Sequence, residues 1–277
     1  MTISKNTLLL DANSVFARSW YAAQKIGLDS SGALRLAAVT VLNILNPVAA
    51  NSPGAIFGQT LFCWDGNANP AKGRKPKPPA FYETRNIAKD LFTLLLGAAH
   101  AEHEQYEGDD LIASAVSQAS AGASLYIASG DKDLMQLIQP NVYYYSLHEK
   151  CLLTDSFVCN KFHVKHPQQI AVALAIQGDP VDRIAGVRGW GLAKVRSLFR
   201  RVNRNMTFDE VLAVMENAMN EDQRREFYTA LERTMLTDTV NVPPPAPVIF
   251  AEDADADALG IPEISRCLKE TRFALSQ

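Results

Sequence analysis

Short apolar runs that end in an acidic residue constrain this chain more than any other feature of its sequence. Three such runs are each followed within three residues by an aspartate: Thr7–Leu10 by Asp11, Ala55–Trp64 by Asp65, and Ser124–Ala128 by Asp131. Helical spacing of apolar residues over 14–25, 33–45 and 81–96 predicts helices between the runs. Strands that alternate with helices predict an α/β domain whose central sheet is mainly parallel and flanked by helices. Ligands bind such sheets at the carboxyl ends of strands, where these aspartates lie.

Carboxylates are concentrated in five segments of the chain. They are Asp11; Asp65; Glu107, Asp109 and Asp110; Asp131 and Asp133; and Asp179 and Asp182. Nine carboxylates could share one cleft only with cations, because mutual repulsion would otherwise raise their pKa values or open the site. Ligand sets made only of oxygen favour Mg²⁺ or Mn²⁺ over zinc. Two such ions about 3.5–4 Å apart suit in-line attack of water on a phosphodiester.

Basic residues are separated from the acids along the chain. The formal net charge of −3 alone argues mildly against nucleic-acid binding. Between Arg183 and Phe208, however, seven basic residues occur without an acidic one: Arg183, Arg188, Lys194, Arg196, Arg200, Arg201 and Arg204. A second cluster consists of Lys72, Arg74, Lys75 and Lys77. This separation suits a metal site beside a phosphate-binding surface.

The strand pattern stops at about residue 167. Helical patterns follow over 167–178, 191–203, 208–219 and 222–236. The proline-containing tail is expected to be loosely packed, and its acidic run at 253–257 to be a solvated surface segment. We therefore divide the chain into an α/β core at 1–165 and a helical part at 166–277.

The hydropathy of the chain, its first residues and its cysteines indicate where in the cell the protein is expected. No run approaches the roughly 18 apolar residues of a membrane span, and the first residues do not resemble a signal peptide. We expect a cytoplasmic protein that does not bind membranes. The four cysteines form no C-x-x-C pair, which indicates incidental thiols rather than a zinc site.

Five segments together resemble the 5′-nuclease family, which includes phage 5′→3′ exonucleases, the N-terminal domain of bacterial DNA polymerase I and the flap endonucleases. They are LLLDANSVFAR (8–18), FCWDG (62–66), EGDDLIA (107–113), SGDKDL (129–134) and QGDPVDRIAGVRGWGLAKV (177–195). The resemblance covers residues 8 to about 200 in the family's order. It implies a PIN-like nuclease core, a helical arch at about 66–105, and a helix–three-turn–helix at about 177–203.

The resemblance also implies roles for individual residues. Asp11, Asp65, Glu107, Asp109 and Asp110 match the first metal site, and Asp131, Asp133, Asp179 and Asp182 match the second. Arg18 matches the arginine that contacts the scissile phosphate. Lys72, and second Lys75, match the active-site lysine at the base of the arch, where Arg74 would bind DNA. Ala71 stands where the family has an aromatic residue, so Phe81 or Tyr82 is expected to stack on a terminal base instead.

Val187–Gly191 resembles the turn of the helix–three-turn–helix. Glycines there let the backbone approach a phosphate closely. The implied contacts to duplex DNA come from Gly186, Arg188, Gly189, Gly191, Lys194, Arg196 and Arg200. The backbone oxygens of Val187 and Gly189 would hold K⁺.

The activity implied is that of a Mg²⁺-dependent 5′→3′ exonuclease and flap endonuclease, in which Mn²⁺ can replace Mg²⁺. Its substrate would be DNA with a free 5′ end, a flap or a branched junction, or an RNA primer, in replication or repair, and it would act as a monomer. Two alternatives remain: a PIN-like ribonuclease, which normally lacks the motif at 178–191, and a non-catalytic branched-DNA binder, which would have lost acids. A phosphatase of the Asp-x-Asp type would need an acid at Asn13.

Overall fold

A computed structural model describes residues 6–50, 58–66, 76–259 and 261–276. Seven strands are found in this part of the chain: β1 Thr7–Asp11, β2 Gln59–Trp64, β3 Ala99–Glu102, β4 Leu125–Ser129, β5 Val142–Ser146, β6 Cys151–Leu153 and β7 Ala246–Pro247. The α-helices of the same residues are α1 Ala12–Lys25, α2 Ser30–Ala50, α3 Pro79–Leu96, α4 Gly108–Ser117, α5 Asp155–Phe162, α6 Ile170–Gln177, α7 Leu192–Phe199, α8 Phe208–Glu216, α9 Glu221–Thr234, α10 Asp253–Ala258 and α11 Pro262–Ser276. Asp133–Leu137 and Pro167–Gln169 form 3-10 helices.

The chain forms two compact units. The first comprises Met1–Gly130, Asn141–Leu152 and Asp238–Gln277, and the second comprises Asp131–Pro140 and Leu153–Thr237. The first unit contains the sheet with α1–α4, α10 and α11. The second unit contains α5–α9 and both 3-10 helices.

The sheet of the first unit has the strand order β3–β2–β1–β4–β5–β6, and β7 pairs with β2. Its central pairs, from β3 to β5, are parallel, whereas β7 is antiparallel to β2. All five residues of β1 are buried, as parallel strands covered on both faces require. Because β2 and β4 flank β1 on opposite sides, the strand order reverses at β1. Ligand crevices form at such a point, beyond the carboxyl ends of the strands.

Aromatic residues fill the core between this sheet and its helices. Phe16 of α1 packs against Phe81 of α3 at a ring-centroid distance of 5.1 Å, and Trp64 of β2 stacks on Phe92 at 6.2 Å. Offset and edge-to-face ring pairs add about 0.5–1.5 kcal/mol each to the burial of their area. The helix α3 ends at Gly97, whose φ of 65° is the left-handed conformation that glycine adopts without strain.

The predicted α/β class with a mainly parallel sheet is confirmed. The structure differs from the prediction after residue 167, because β7 adds a strand there and the tail is not loosely packed. Ala256 of α10 and both Ile264 and Leu268 of α11 are fully buried in the core of the first unit. The tail therefore belongs with the first unit, whereas the predicted division at 166 places it with the helical part.

The arch expected at about 66–105 is untested, because only residues 66 and 76–105 of this range are described. Within this range α3 buries Ala88, Phe92 and Leu96 in the core, and β3 is hydrogen-bonded to β2. The helix predicted over 81–96 is present as α3, and its apolar spacing reflects packing in the core of the first unit. Residues 67–75 lie outside the described residues. No helix in the described part of the chain is both long and apolar enough to cross a membrane.

Candidate metal centre

Asp11 lies at the carboxyl end of β1 and begins α1. One of its carboxylate oxygens accepts the backbone N–H of Ser14 at 2.9 Å, which makes Asp11 the N-cap of α1. The other accepts the hydroxyl of Ser129, at the end of β4, at 2.5 Å. Asp11 is 8% exposed, so both bonds hold it where the strand order reverses. An acid at this point is stabilised by the helix N-terminus.

Asp65 follows the neighbouring strand and is held from three sides. Asn13 of α1 donates to its Oδ2 at 2.5 Å, and the N–H of Gly108, at the start of α4, donates to its Oδ1 at 2.8 Å. Its backbone oxygen accepts a hydrogen bond from the guanidinium of Arg85 at 2.8 Å. Arg85 is 2% exposed and also pairs with Glu102 of β3 at 2.6 Å. A buried arginine therefore fixes the turn that carries Asp65, which the sequence motifs do not reveal.

The three acids at 107–110 form the first turn of α4. Glu107 is its N-cap, and it forms a capping box with Asp110, whose side chain accepts the N–H of Glu107 at 3.4 Å. Asp109 accepts the N–H of Asp110 at 2.8 Å. The helix N-terminus favours all three negative charges. The structure thus places Asp11 and Asp65 at the carboxyl ends of β1 and β2, and a hydrogen bond from Gly108 to Asp65 brings the start of α4 beside them.

The four acids expected to form a second metal site lie in the second unit. Residues 178–186, here called the acid loop, carry Asp179 and Asp182. The loop is closed by paired backbone bonds of 2.8 Å between Asp179 and Ile184. Gly178 and Gly186, with φ of 80° and 70°, allow the two ends to touch, because a Cβ on Gly186 would lie 2.4 Å from the nitrogen of Gly178. Gly186 is buried, so its packing shapes this loop.

Asp133 completes a compact carboxylate cluster with the acid loop. One oxygen from each of Asp133, Asp179 and Asp182 lies within 4.8 Å of the others. Asp133 and Asp179 are 8% and 3% exposed. Asp131 supports the cluster, because its carboxylate accepts the N–H of Asp133 at 2.9 Å. Burial, and to a smaller extent the negative charge of Asp131, raise the pKa of Asp133 to about 7. Like charges this close are stable as anions only beside a cation.

Lys132 provides part of that positive charge, and motif reasoning did not assign it a role. Its ammonium forms an ion pair with Asp179 and lies 3.9 Å from Asp133. Burial alone would lower the pKa of Lys132, but the bond to Asp179 and the nearby carboxylates raise it. One lysine for several acids leaves the cluster negative. Its donor set, made only of carboxylate oxygens, fits a hard divalent ion such as Mg²⁺ or Mn²⁺.

Arg233 of α9 holds the outer side of the acid loop. Its two terminal nitrogens donate to the backbone oxygens of Asp182 and Arg183, at 2.8 and 3.1 Å. Arg183 has a φ of 56°, in the left-handed region that non-glycine residues seldom adopt. The planar guanidinium spans both carbonyls, as a lysine could not. Arg233 therefore orients the loop that presents Asp182, which sequence spacing gave no means to detect.

The DNA-binding residues predicted between 186 and 200 lie in the segment between α6 and α7 and in α7 with its C-cap. Gly189 has a φ of 77°, and Gly191 is the N-cap of α7. Val187 accepts the N–H of Trp190 through its backbone oxygen at 2.9 Å. The side chain of Arg188 is 91% exposed. The remaining three are Lys194 and Arg196 within α7 and Arg200 as its C-cap, with Arg196 also bonded to His163 at 3.0 Å.

Arg18 is exposed on α1, and its guanidinium lies 3.1 Å from the imidazole of His148 in the turn after β5. Phe81, by contrast, is 2% exposed between Phe16 and Trp20, so it cannot stack on a base as expected. It was mistaken for a surface residue because a core aromatic and a stacking aromatic look alike in sequence. Tyr82 is only half-buried. Lys72, Arg74 and Lys75 lie outside the described residues.

The fold is similar to that of a solved nuclease. The chain matches a bacteriophage T5 flap endonuclease, solved as a pseudo-enzyme–product complex with DNA and metal ions, with a TM-score of 0.57. The match covers 99% of this chain and all of that one, at 14% sequence identity. An α/β fold with a mainly parallel sheet and helices around it is thus shared across nearly the whole chain.

The sequence comparisons place the chain in a family. Residues 6–163 match the model of the 5′-3′ exonuclease, N-terminal resolvase-like domain, and the chain belongs to this family. It is 27% identical over 242 residues to a 5′-3′ exonuclease of Mycoplasmopsis pulmonis, which covers 84% of this chain and 78% of that protein. It is 36% identical over 128 residues to the thermostable DNA polymerase I of Thermus aquaticus, covering 46% of this chain and only 15% of the polymerase.

Proposed function

We propose that the chain is a Mg²⁺-dependent 5′→3′ exonuclease and structure-specific flap endonuclease that hydrolyses phosphodiesters with two metal ions. The cluster of Asp133, Asp179 and Asp182 carries this proposal, since three carboxylate oxygens within 4.8 Å of one another suit a divalent ion. Family membership supports the choice of reaction. Removal of primers or flaps in replication or repair, by a monomer in the cytoplasm, would be its role.

The two sets of acids would each hold metal. Asp11, Asp65 and the acids at the start of α4 would supply the first site, and Asp131 with the cluster would supply the second. Bound divalent ions lower the pKa of water and offset negative charge on a phosphodiester. The chain's own contribution is to hold these carboxylates in place. The hydrogen bonds from Ser129, Asn13 and Gly108 fix the orientation of Asp11 and Asp65 before any ion binds.

Basic residues would bind the DNA. Arg18, exposed on α1, would stabilise charge on the scissile phosphate. Lys72 and Lys75 remain candidates for a further phosphate contact, with Arg74 beside them. The turn at 187–191 with Lys194, Arg196 and Arg200 would grip duplex phosphates as a helix–three-turn–helix, with K⁺ on the oxygens of Val187 and Gly189.

Cleavage of a labelled 5′-flap DNA tests this function directly. The purified protein should release short fragments with a 5′-phosphate in Mg²⁺ or Mn²⁺ and none in a chelator, because the carboxylates alone supply no nucleophile. Intact flap DNA at every concentration of either ion would refute the proposal.

The same assay separates the alternatives. A PIN-like ribonuclease would cut single-stranded RNA and leave the DNA flap intact. A non-catalytic binder would retard branched DNA in gels without cutting it. Cleavage of an RNA–DNA hybrid at a rate similar to that of the flap would make RNA primers part of the natural substrate. A blunt duplex with a labelled 5′ end measures exonuclease action separately.

Arg233→Met should weaken Mn²⁺ binding about tenfold, because groups that orient metal ligands contribute roughly 10–100-fold in affinity. The guanidinium that holds the carbonyls of Asp182 and Arg183 would be lost, while all the carboxylates remain. Isothermal titration of the DNA-free protein with Mn²⁺ measures this.

Arg225→Met is the matched control. Arg225 lies on the same helix but pairs with Asp222, with both side chains largely exposed. Exposed pairs contribute little, so metal binding should stay at the wild-type level. Equal affinities in all three proteins would show that Arg233 has no part in positioning the acid loop.

A further inference from the structure

The pair formed by Trp190 and Lys194 has no role in the predicted machinery beyond the charge of the lysine. Lys194 Nζ lies 4.2 Å from the centroid of the indole ring. The other cation–ring distances in the described part of the chain range from 5.0 to 5.9 Å. A cation held over an indole is the strongest of the cation–aromatic pairings. The pair is therefore a defined structural unit at the start of α7.

Trp190 differs from the other two tryptophans in exposure. Trp20 and Trp64 belong to the core of the first unit and are 5% and 0% exposed. Trp190 is only half-buried, although tryptophan is among the residues with most to gain from full burial. A large aromatic side chain that stays partly in water, with a cation on its face, is available to a ligand.

The backbone around Trp190 leaves room for one. A Cβ added to Gly189 or to Gly191 would meet nothing within 4 Å, so both flanks of Trp190 are open. The N–H of Trp190 donates to the oxygen of Val187 at 2.9 Å, which fixes the backbone of the turn. Leu192, two residues on, is 43% exposed. An apolar plane in an accessible turn and a positive charge on the first turn of α7 thus occur side by side.

A nucleotide has the matching chemistry, with a negative phosphate beside an apolar ring. Lysine binds phosphate, and aromatic side chains pack on the rings of nucleotides. In a duplex the bases are already stacked on one another, so the deoxyribose is the ring that an indole beside a phosphate-binding lysine can reach. We propose that Trp190 packs against a deoxyribose of duplex DNA whose adjacent phosphate is bound by Lys194. The proposal rests on the DNA binding proposed above and adds an apolar contact to it.

Tryptophan fluorescence of the unmodified protein tests the contact. Because Trp20 and Trp64 are buried, Trp190 is the tryptophan whose emission a DNA ligand should change. Titration with a blunt duplex should shift or quench the emission at the same concentrations at which the anisotropy of labelled duplex rises. Saturated anisotropy with unchanged emission would overturn the proposal and leave DNA binding intact. A change with single-stranded DNA alone would overturn the deoxyribose contact.

Substitutions separate the ring from the charge. Trp190→Leu should bind duplex about tenfold more weakly, because much of the apolar area that the indole buries against the sugar is lost, with an unchanged slope of log affinity against log salt. Lys194→Gln should reduce that slope by about one, because one phosphate contact is lost. Trp190→Phe keeps a ring, so it should bind within about threefold of wild type while losing the emission change.

Leu192→Ala is the matched control, because Leu192 is an exposed apolar residue at the start of α7, two positions from Trp190. It should bind duplex within about twofold of the wild type, as expected for a surface substitution. Thermal unfolding of each variant identifies any that do not fold. If Trp190→Leu is one of them, the loss of the emission change in Trp190→Phe tests the contact instead. Wild-type affinity in Trp190→Leu, or equal losses in Trp190→Leu and Leu192→Ala, would overturn the proposal.

Discussion

Asp133→Asn should reduce metal-dependent cleavage about a thousandfold, since one ligand of an ion that contributes several kcal/mol to the transition state is lost. Asp133 is 8% exposed and shares the cluster with Asp179 and Asp182. An amide has nearly the shape of a carboxylate, so the backbone bond from Asp133 to Asp131 can persist. Flap cleavage under single-turnover conditions, at saturating Mg²⁺, measures the loss.

The same substitution should stabilise the metal-free protein. Removing one of three crowded negative charges relieves repulsion on the order of 1 kcal/mol, even with Lys132 nearby. The melting temperature without metal should therefore rise by about 2–4 °C, the shift that such an energy gives in a protein of this size. Added Mg²⁺ should raise the melting temperature of the wild type more than that of the variant.

Asp222→Asn serves as the control for both measurements, because its side chain is 84% exposed in α9 and lies outside the cluster. It should cleave and melt like the wild type. Two results would contradict the metal assignment. One is cleavage by Asp133→Asn within tenfold of the wild type, and the other is that Mg²⁺ raises the melting temperatures of the wild type and of Asp133→Asn equally.

The acids were predictable from the sequence because their positions follow from strand ends. A buried parallel strand reads as a continuous apolar run, and the residue after it must lie at the carboxyl edge of the sheet. Asp11 and Asp65 lie there. The pairing of Asp133 with the acid loop was expected only from the resemblance, since 46 residues separate Asp133 from Asp179 and local spacing carries no information across that distance.

What the sequence did not reveal are partners that act through the backbone. Arg85 and Arg233 bind carbonyl oxygens, and every residue has one, so no pattern of side chains marks these contacts. The expectation that Phe81 stacks on a base was wrong for a related reason, because the burial of an aromatic side chain depends on tertiary packing and not on residue type. The tail was misjudged because its prolines and its acidic run at 253–257 draw attention away from the apolar residues that α10 and α11 bury, such as Ala256 and Leu268.

Arg85→Leu should lower the free energy of unfolding of the first unit by about 2–3 kcal/mol. Removing one member of a buried ion pair costs roughly 3–5 kcal/mol when its partner is left without compensation. A loss of only about 2–3 kcal/mol is expected here, because Glu102 is 32% exposed and keeps a second cation, Lys89, at 2.5 Å. The carbonyl of Asp65 also loses its 2.8 Å bond. Urea unfolding, followed by the emission of the buried tryptophans, measures the change.

Lys89→Leu is the matched control for Arg85→Leu, because Lys89 pairs with the same carboxylate but is more exposed than Arg85. The difference between the two variants therefore measures the effect of burial rather than of the positive charge alone. Lys89→Leu should cost less than about 1 kcal/mol, as partly solvated pairs do. Arg85→Lys keeps the charge but cannot bond to both Glu102 and the carbonyl of Asp65, so it should recover only part of the loss. If the Arg85 and Lys89 variants unfold at the same urea concentration, the buried arginine does not hold the turn after β2. Asp65 would then owe its position to Asn13 and Gly108, and the metal requirement for cleavage by Arg85→Leu should equal that of the wild type.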